Sequence, residues 1–505
     1  MSTAKPISFG TAQARWVVAA AVLGSGIATL DATVVGIALP SVGRSLHSGM
    51  RTLQWVVTGY SLTLTAFLLL GGALGDRFGR RKIFFVGIVW FVVASLSCGL
   101  APSGAVLVGA RILQGVGGAL ITPASLAILQ ASFRSEDRAR AIGAWSGFTG
   151  LATAAGPLLG GYLISVGSWR WVFFINLPVG LGVIALTARH VPESVDPAAA
   201  GKLDKTGPVL AVVFLSGLTF ALIEGASHGW TSPLVLTAVV LAAVAGPMFI
   251  VSEHLKPHPI LPLDLFRVLQ FTAANAVTFI VYGALGGALF LLPIELQVVS
   301  RYSPLQSGLA LMPVTAIMLM FSARSGQLAT RIGPRFQMSL GPMVVGAGLV
   351  LLYRATQGRS YIVHVLPAVV IFGIGLAITV APLTATAMGA APSERAGVAS
   401  AVNNVLARAA GLFAVAALPF VSGISGAAAL NPDRLASSFR SAMFIAGVAA
   451  IAGGGLAFAL VRNPTRQLRG EPEGDRRWHC ALDGTPLEPQ VPVVPTSARR
   501  GPSDR

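Results

Sequence analysis

The chain has 505 residues, 54% of them hydrophobic and only 11% charged, with a formal net charge of +17 and a mean hydropathy of +0.74. Soluble domains carry about 25% charged residues; here the deficit runs along nearly the whole chain, which excludes a soluble globular enzyme and a disordered protein. Two cysteines, Cys98 and Cys480, are too few for a disulfide scaffold, and the basic balance fits positive loops on the cytoplasmic side of a bilayer better than nucleic-acid binding.

A helix that crosses the hydrocarbon core needs about 20 mostly apolar residues. In chain order such runs fall near 16–40, 53–74, 83–101, 104–128, 141–164, 171–188, 207–224, 232–252, 269–292, 305–328, 335–353, 362–389, 397–421 and 438–461, fourteen in all. The first follows a polar start with Lys5 and Arg15, is too long for a signal-peptide core and contains Asp31, so it reads as a retained span. The connections are mostly short, so consecutive helices are antiparallel neighbours. With the N-terminus inside, the inner loops and start carry 17 Lys and Arg against 8 in the outer loops, which favours cytoplasmic placement of both termini. The tail holds seven prolines and little apolar periodicity, the composition of a disordered segment.

The second span ends in Gly72-Ala-Leu-Gly-Asp-Arg-Phe-Gly-Arg-Arg81, and the tenth in Gly326-Gln-Leu-Ala-Thr-Arg-Ile-Gly-Pro-Arg335. Gly, Leu, Arg, Gly and Arg recur at the same offsets, 254 residues apart, with Thr330 in place of Asp76. Ser135-Glu136 with Arg138-Ala139 is echoed by Ser393-Glu394-Arg395-Ala396. Duplicated six-helix halves are a transporter architecture with the substrate site between them. The expected fold is therefore an all-α membrane protein of two six-helix repeats with two extra transmembrane helices between them. Its expected divisions are an N-terminal cytoplasmic segment 1–15, a six-helix half 16–190, a linker region 191–268 holding the extra pair, a second half 269–461 and a cytoplasmic tail 462–505.

These residues resemble the major facilitator superfamily, and within it the fourteen-helix drug:proton antiporter branch. Leu30-Asp-Ala-Thr-Val-Val-Gly-Ile-Ala-Leu-Pro40 resembles that branch's first-helix motif, and Gln54-Trp55 with Tyr60 the start of its second helix. Gly72 to Arg81 resembles the inner-loop motif, and Arg111-Ile-Leu-Gln-Gly-Val-Gly117 the fourth-helix motif. Gly156-Pro157 with Gly160-Gly161 resembles the fifth-helix antiporter motif, and Trp169 to Gly180 the start of the sixth helix. Six matches in order at helix-scale spacing cover most of residues 16–461. The resemblance implies efflux of an amphipathic drug or antibiotic in exchange for protons, not an enzyme. It also implies that Asp76, Arg77, Gly79, Arg80 and Arg81 form a latch for one access state. An arginine-based topology signal coexists with that role. The alternative is a proton-coupled transporter of another small molecule, taken up or exported.

Asp31 lies nine residues before Pro40, about 13 Å from that end at the 1.5 Å rise of a helix. A carboxylate inside a span is costly unless it meets a cavity or a partner, and burial favours its neutral form. It can bind and release a proton, or it can be a structural hydrogen-bonding residue. Arg111, seven residues into the fourth span, lies at a similar depth. Beside Asp31 it would favour the carboxylate, as a tuner of protonation or as a purely structural pair. The small residues of the fifth-helix motif allow close helix approach and a bend, which shapes a cavity or serves ordinary packing. Asn403, Asn404, Arg408 and Glu295 are candidate cavity residues. Glu295, at the outer end of the ninth span, either attracts a cationic substrate or is simply wet, and the wet reading is favoured; Glu224 is expected at the wet interface. No phosphate-binding loop and no metal-ligand spacing is present in the sequence, so no cofactor or metal is expected. The expected partners are a small amphipathic substrate, protons and lipid, around a monomer in the plasma membrane.

Overall fold

The computed structural model describes residues 6–196, 204, 206–256, 259, 261–358, 360–392, 395–424 and 431–463. Its helices are α1 Ala12–Ser45, α2 Met50–Phe78, α3 Arg80–Leu100, α4 Gly104–Ser132, α5 Ser135–Val166, α6 Trp171–Phe174, α7 Asn176–His190, α8 Thr206–His228, α9 Pro233–Leu255, α10 Leu269–Val298, α11 Pro304–Ile332, α12 Pro334–Leu351, α13 Leu366–Gly389, α14 Ala396–Val421 and α15 Pro432–Leu460. The short α6 continues through Ile175 into α7 as one span, and among the described residues fourteen stretches are long and apolar enough to cross a membrane. The tail from 464, with Cys480, and the Ser393-Glu394 echo lie outside the described residues.

Local chemistry sets several of these boundaries. Ser303 and Gln306 form a reciprocal capping box at the start of α11, with Pro304 at its first position, so the first orphan amides are satisfied. Ser103 caps α4 and Asn431 caps α15 through side-chain oxygens. Pro40, taken from the sequence as the outer end of the first span, lies inside α1, which runs on to Ser45. The cause is that Pro removes one backbone donor, which bends a helix without always ending it.

The repeat is visible as a shared turn. Gly79 and Gly333, at equivalent positions, end α2 and α11 with φ of 111° and 85°, a region that disfavours side chains. In each half the next helix begins at the following residue, and a polar side chain from beyond the half's last span receives its amides. Glu193 accepts from the amides of Arg81 and Lys82 at 3.0 and 3.1 Å, and Asn463 Oδ1 accepts from the Arg335 amide at 3.0 Å. A Cβ on Gly79 would lie 2.8 Å from the Glu193 carboxylate, and one on Gly333 2.3 Å from the Asn463 side chain.

The two halves meet on the face opposite these turns. Gln54 on α2 donates to the Val415 and Ala416 carbonyls of α14 at 2.9 and 3.1 Å. Gln297 on α10 donates to the Ile37 carbonyl of α1 at 2.9 Å. On the arginine-rich face such closeness is missing from α5: no atom lies within 4 Å of where a Cβ would stand on Gly143, Gly147 or Gly150, and Phe148 and Leu151 are exposed. The extra pair packs together, with α8 against both α2 and α14. Leu62, Ala66, Leu215, Ala409 and Leu412 form the apolar seam between them.

Candidate functional site

Asp31 is fully buried on α1 and forms an ion pair with the equally buried Arg111 of α4. Its second oxygen accepts from Gln114 Nε2 at 2.9 Å and Asn176 Nδ2 at 3.0 Å. Arg111 also donates through Nη1 to Gln114 Oε1 at 2.7 Å and through Nε to the Val56 carbonyl at 3.0 Å. Asn176 donates to Ser95 Oγ at 3.0 Å, and Ser95 to the Phe173 carbonyl at 2.9 Å. Helices α4 and α7 thus supply the side chains that hold the α1 carboxylate, and α2, α3 and α6 brace those side chains. A buried ion pair survives desolvation only when hydrogen bonds satisfy its remaining donors and acceptors, and here Gln114, Asn176 and the Val56 carbonyl do so.

The guanidinium of Arg111 lies 4.2 Å from the ring centroid of Tyr60, a cation–π contact that adds to its stabilisation in a dry site. The Tyr60 hydroxyl donates to the Ala28 carbonyl at 3.0 Å. Tyr60 also lines a cavity of about 240 Å³ between the halves, walled by α1, α2, α10 and α14 through Ala32, Val57, Thr58, Ser61, Tyr282, Leu289, Phe290, Arg408 and Leu412 among others. The ion pair therefore lies directly behind the cavity wall, with one aromatic ring shared between them.

Of the inner-loop residues, Asp76 pairs with Arg80 one turn on at 2.8 Å. The Arg81 side chain donates to the Ala188 carbonyl at 2.7 Å, the Asp196 amide donates to the Asp76 carbonyl at 3.0 Å, and Arg77 stacks on Phe78. These contacts tie the α2–α3 turn to the end of α7, within one half. In the fifth-helix motif, Gly156 and Gly160 face α1: a Cβ would stand 1.9 Å from Thr33 Oγ1 and 3.0 Å from Val34 respectively. Gly161 faces α11, where a Cβ would stand 2.6 Å from the Pro304 carbonyl, and the Pro157 carbonyl lies 2.2 Å from the Cβ position of Gly308. The motif thus packs α5 on α1 within its own half through Gly156 and Gly160, and on α11 of the other half through Pro157 and Gly161.

Three expectations need correction. Glu295 is neither wet nor in the cavity: it is fully buried, accepts from Ser300 at 3.0 Å and leaves Oε2 without a partner. Ser300 in turn donates to the Ala355 carbonyl, so the segment after α12 covers this helix end. Glu224 is buried and held by Trp55 Nε1 at 2.8 Å, His228 at 2.9 Å and Arg51 at 3.4 Å; it anchors α8 to α2. Asn403 is buried between α14 and α10, donating to Asn275 at 3.0 Å and Thr278 at 2.8 Å. Asn404 is exposed and donates to Ser400. Arg408 lines the cavity. Gln114, Asn176 and Ser95 were not singled out, although a polar side chain within a span is itself a signal. Among the described residues no cluster could hold a metal ion.

The comparisons with known proteins agree with this architecture. The sequence model of the Major Facilitator Superfamily matches residues 21–416. The chain is 38% identical over 381 residues to the multidrug resistance protein Stp of Mycobacterium tuberculosis, covering 75% of this chain and 70% of that one. It is 35% identical over 407 residues to the tetracenomycin C resistance and export protein of Streptomyces glaucescens, covering 79% and 74%. A solved POT family transporter superposes with a TM-score of 0.65 at 15% identity, covering 88% of this chain and 95% of that one. With its repeated halves and fourteen spans, this chain is a multi-pass membrane protein and belongs to the Major Facilitator Superfamily.

Proposed function

We propose that the protein exports an amphipathic small molecule from the cytoplasm in exchange for protons, by alternating access of the cavity between the halves. The observation that carries this reading is the fully buried Asp31–Arg111 pair placed behind Tyr60, a residue of the cavity wall. The relatives named for drug resistance and export support the direction. In this proposal the arginine-rich face is cytoplasmic, both termini lie on that side of the plasma membrane, and the protein works as a monomer.

The chemistry follows from the competition at Asp31. While Arg111 holds one carboxylate oxygen, Gln114 and Asn176 hold the other. In this proposal the joined face is the outer one, and drug enters the cavity from the cytoplasmic side. Closure around the drug shifts α1 against α4 and separates the pair. The carboxylate, deprived of its cation in a dry site, then takes a proton when the outer face opens. Pro157 and Gly161 supply the close α5–α11 contact against which the halves rock, while Gly156 and Gly160 seat α5 on α1.

The test is purified protein in proteoliposomes with an imposed pH gradient and a panel of anionic, neutral and cationic drugs. Drug movement that follows the proton gradient in the wild type and is lost in Asp31→Asn supports the reading. Gradient-driven transport retained in Asp31→Asn overturns the assignment of Asp31, and drug movement indifferent to the gradient overturns the antiport.

A further inference from the structure

We propose that the cavity between the halves selects amphipathic anions, with the Arg408 guanidinium as the group that receives the acid. This rests on the cavity being the transport site, and it adds the charge of the substrate. Arg408 is near the middle of α14, twelve residues past its start at Ala396, about 18 Å along at the helical rise. A cation at such depth is costly unless it is paired or meets a water-filled cavity. Arg111 shows the paired solution, with Asp31 and two further acceptors around it. Arg408 shows the other: it lines the cavity and forms no hydrogen bond or ion pair with any described residue.

The rest of the wall sharpens the charge preference. No carboxylate lies among the residues lining the cavity. Asp31, next in sequence to the lining residue Ala32, is itself fully buried and occupied by Arg111. A cationic drug would therefore meet a like charge with nothing to offset it, whereas a carboxylate or sulfonate would gain charge-assisted, bidentate hydrogen bonds from a planar guanidinium. The hydroxyl-bearing Thr58, Ser61 and Tyr282 add neutral polar contacts, and Phe290 and Leu412 supply an apolar wall. That combination fits a compact aromatic or aliphatic body carrying one acidic group.

The experiment uses three probes that share one ring system: naphthylacetate, its neutral amide naphthylacetamide, and naphthylmethylammonium. Binding to the full-length protein in nanodiscs is measured by calorimetry with no proton gradient. The wild type is expected to bind naphthylacetate about tenfold more tightly than naphthylmethylammonium, the size of a charge-assisted contact. Arg408→Gln is expected to lose about tenfold in naphthylacetate affinity while naphthylacetamide stays within about twofold, and Arg408→Lys to fall between. Retained amide binding shows that the variant is folded, and the wild-type comparison stands without it. Tighter binding of the cation, unchanged naphthylacetate affinity in a folded Arg408→Gln, or no binding of naphthylacetate by the wild type would overturn the proposal. Because no gradient is used, the result is separable from the antiport: selective anion binding by a protein that transports nothing keeps this inference and removes the antiport, and gradient-driven export of cations alone does the reverse.

Discussion

Asp31 and Arg111 are each nearly or fully inaccessible, at 0% and 1% exposure, so neither can fall back on water if the other is removed. Breaking a buried pair by deleting one partner costs about 3–5 kcal/mol, because the remaining charge is left uncompensated. Arg111→Ala is therefore expected to destabilise the protein by that order, whereas Arg111→Ala combined with Asp31→Asn should destabilise it less than Arg111→Ala alone. Thermal unfolding of the wild type, both single variants and the double variant in the same detergent checks this, and additive losses would show that the residues are not energetically coupled. A second residue-scale expectation concerns Asn176, which touches the same carboxylate oxygen as Gln114. Asn176→Leu leaves a buried acceptor one donor short, a loss of about 1–3 kcal/mol, and, under the proposed antiport, the drug:proton coupling ratio should move along with the stability. A variant that lost stability with unaltered coupling would confine Asn176 to a structural role.

Among the elements, α5 carries the sharpest steric constraint. Its Gly161 lies against Pro304 and Leu305 of α11, closer than any Cβ tolerates. Gly161→Ala is expected to part α5 from α11 on that face. In a background free of Cys98 and Cys480, a cysteine placed at the buried Ser307 should then react faster with a maleimide. An unchanged labelling rate would mean that the contact yields without opening. The extra pair is closed differently, by charge. Lys256 donates to Asp204 and Glu253 at 2.7 Å each, and Glu253 accepts from the Leu261 amide at 2.8 Å. Burial alone would raise the Asp204 carboxyl, but hydrogen bonds from Lys256, the Gly207 amide and Thr206 outweigh it and hold the group below its usual value. Burial likewise works against the Lys256 ammonium, yet its bonds to Asp204 and Glu253 hold it above its usual value. The depressed acid stabilises the fold above about pH 4 and loses that effect as pH falls through its lowered value. The raised base stabilises it below about pH 10 and loses that effect as pH rises through its higher value. The clamp is thus constant from about pH 5 to about pH 9, and Lys256→Met should speed amide hydrogen exchange at the paired ends of α8 and α9 throughout that range. Equal exchange in wild type and variant would remove the clamp.

At the scale of the molecule, sidedness connects the fold to its work. The repeated turns at Gly79 and Gly333 lie on one face with the arginines around them. Among the described residues the number of candidate spans is even, which returns the chain to the side from which it started, and the proposed orientation puts the Lys and Arg excess of that side in the cytoplasm. Cys480 is expected to resist a membrane-impermeant maleimide in intact cells and to react once the membrane is permeabilised, in a Cys98→Ala background. Labelling from outside intact cells would reverse the topology, and with it the identification of the joined face as the outer one.

Hydropathy, spacing and charge suffice for the number of spans, the repeat and its leftover pair, because each span must satisfy its backbone internally and be apolar over a length that the bilayer dictates. The same logic exposes Asp31 and Arg111, whose charges are anomalous in a span whatever the tertiary arrangement. It does not reveal that they touch, nor that Gln114 and Asn176 complete their shell, since those contacts join residues up to 145 positions apart. Glu295 and Glu224 looked wet because hydropathy places them at span ends; whether a span end is wet depends on what packs over it, here Ser300 with Ala355 and the Trp55–His228 pair. Arg408 is the opposite case, a charge visible in the chain whose meaning depends on rotation. One residue turns a helix by about 100°, and only the packing of α14 against α10 and α2 decided that this guanidinium faces the cavity rather than a neighbouring helix.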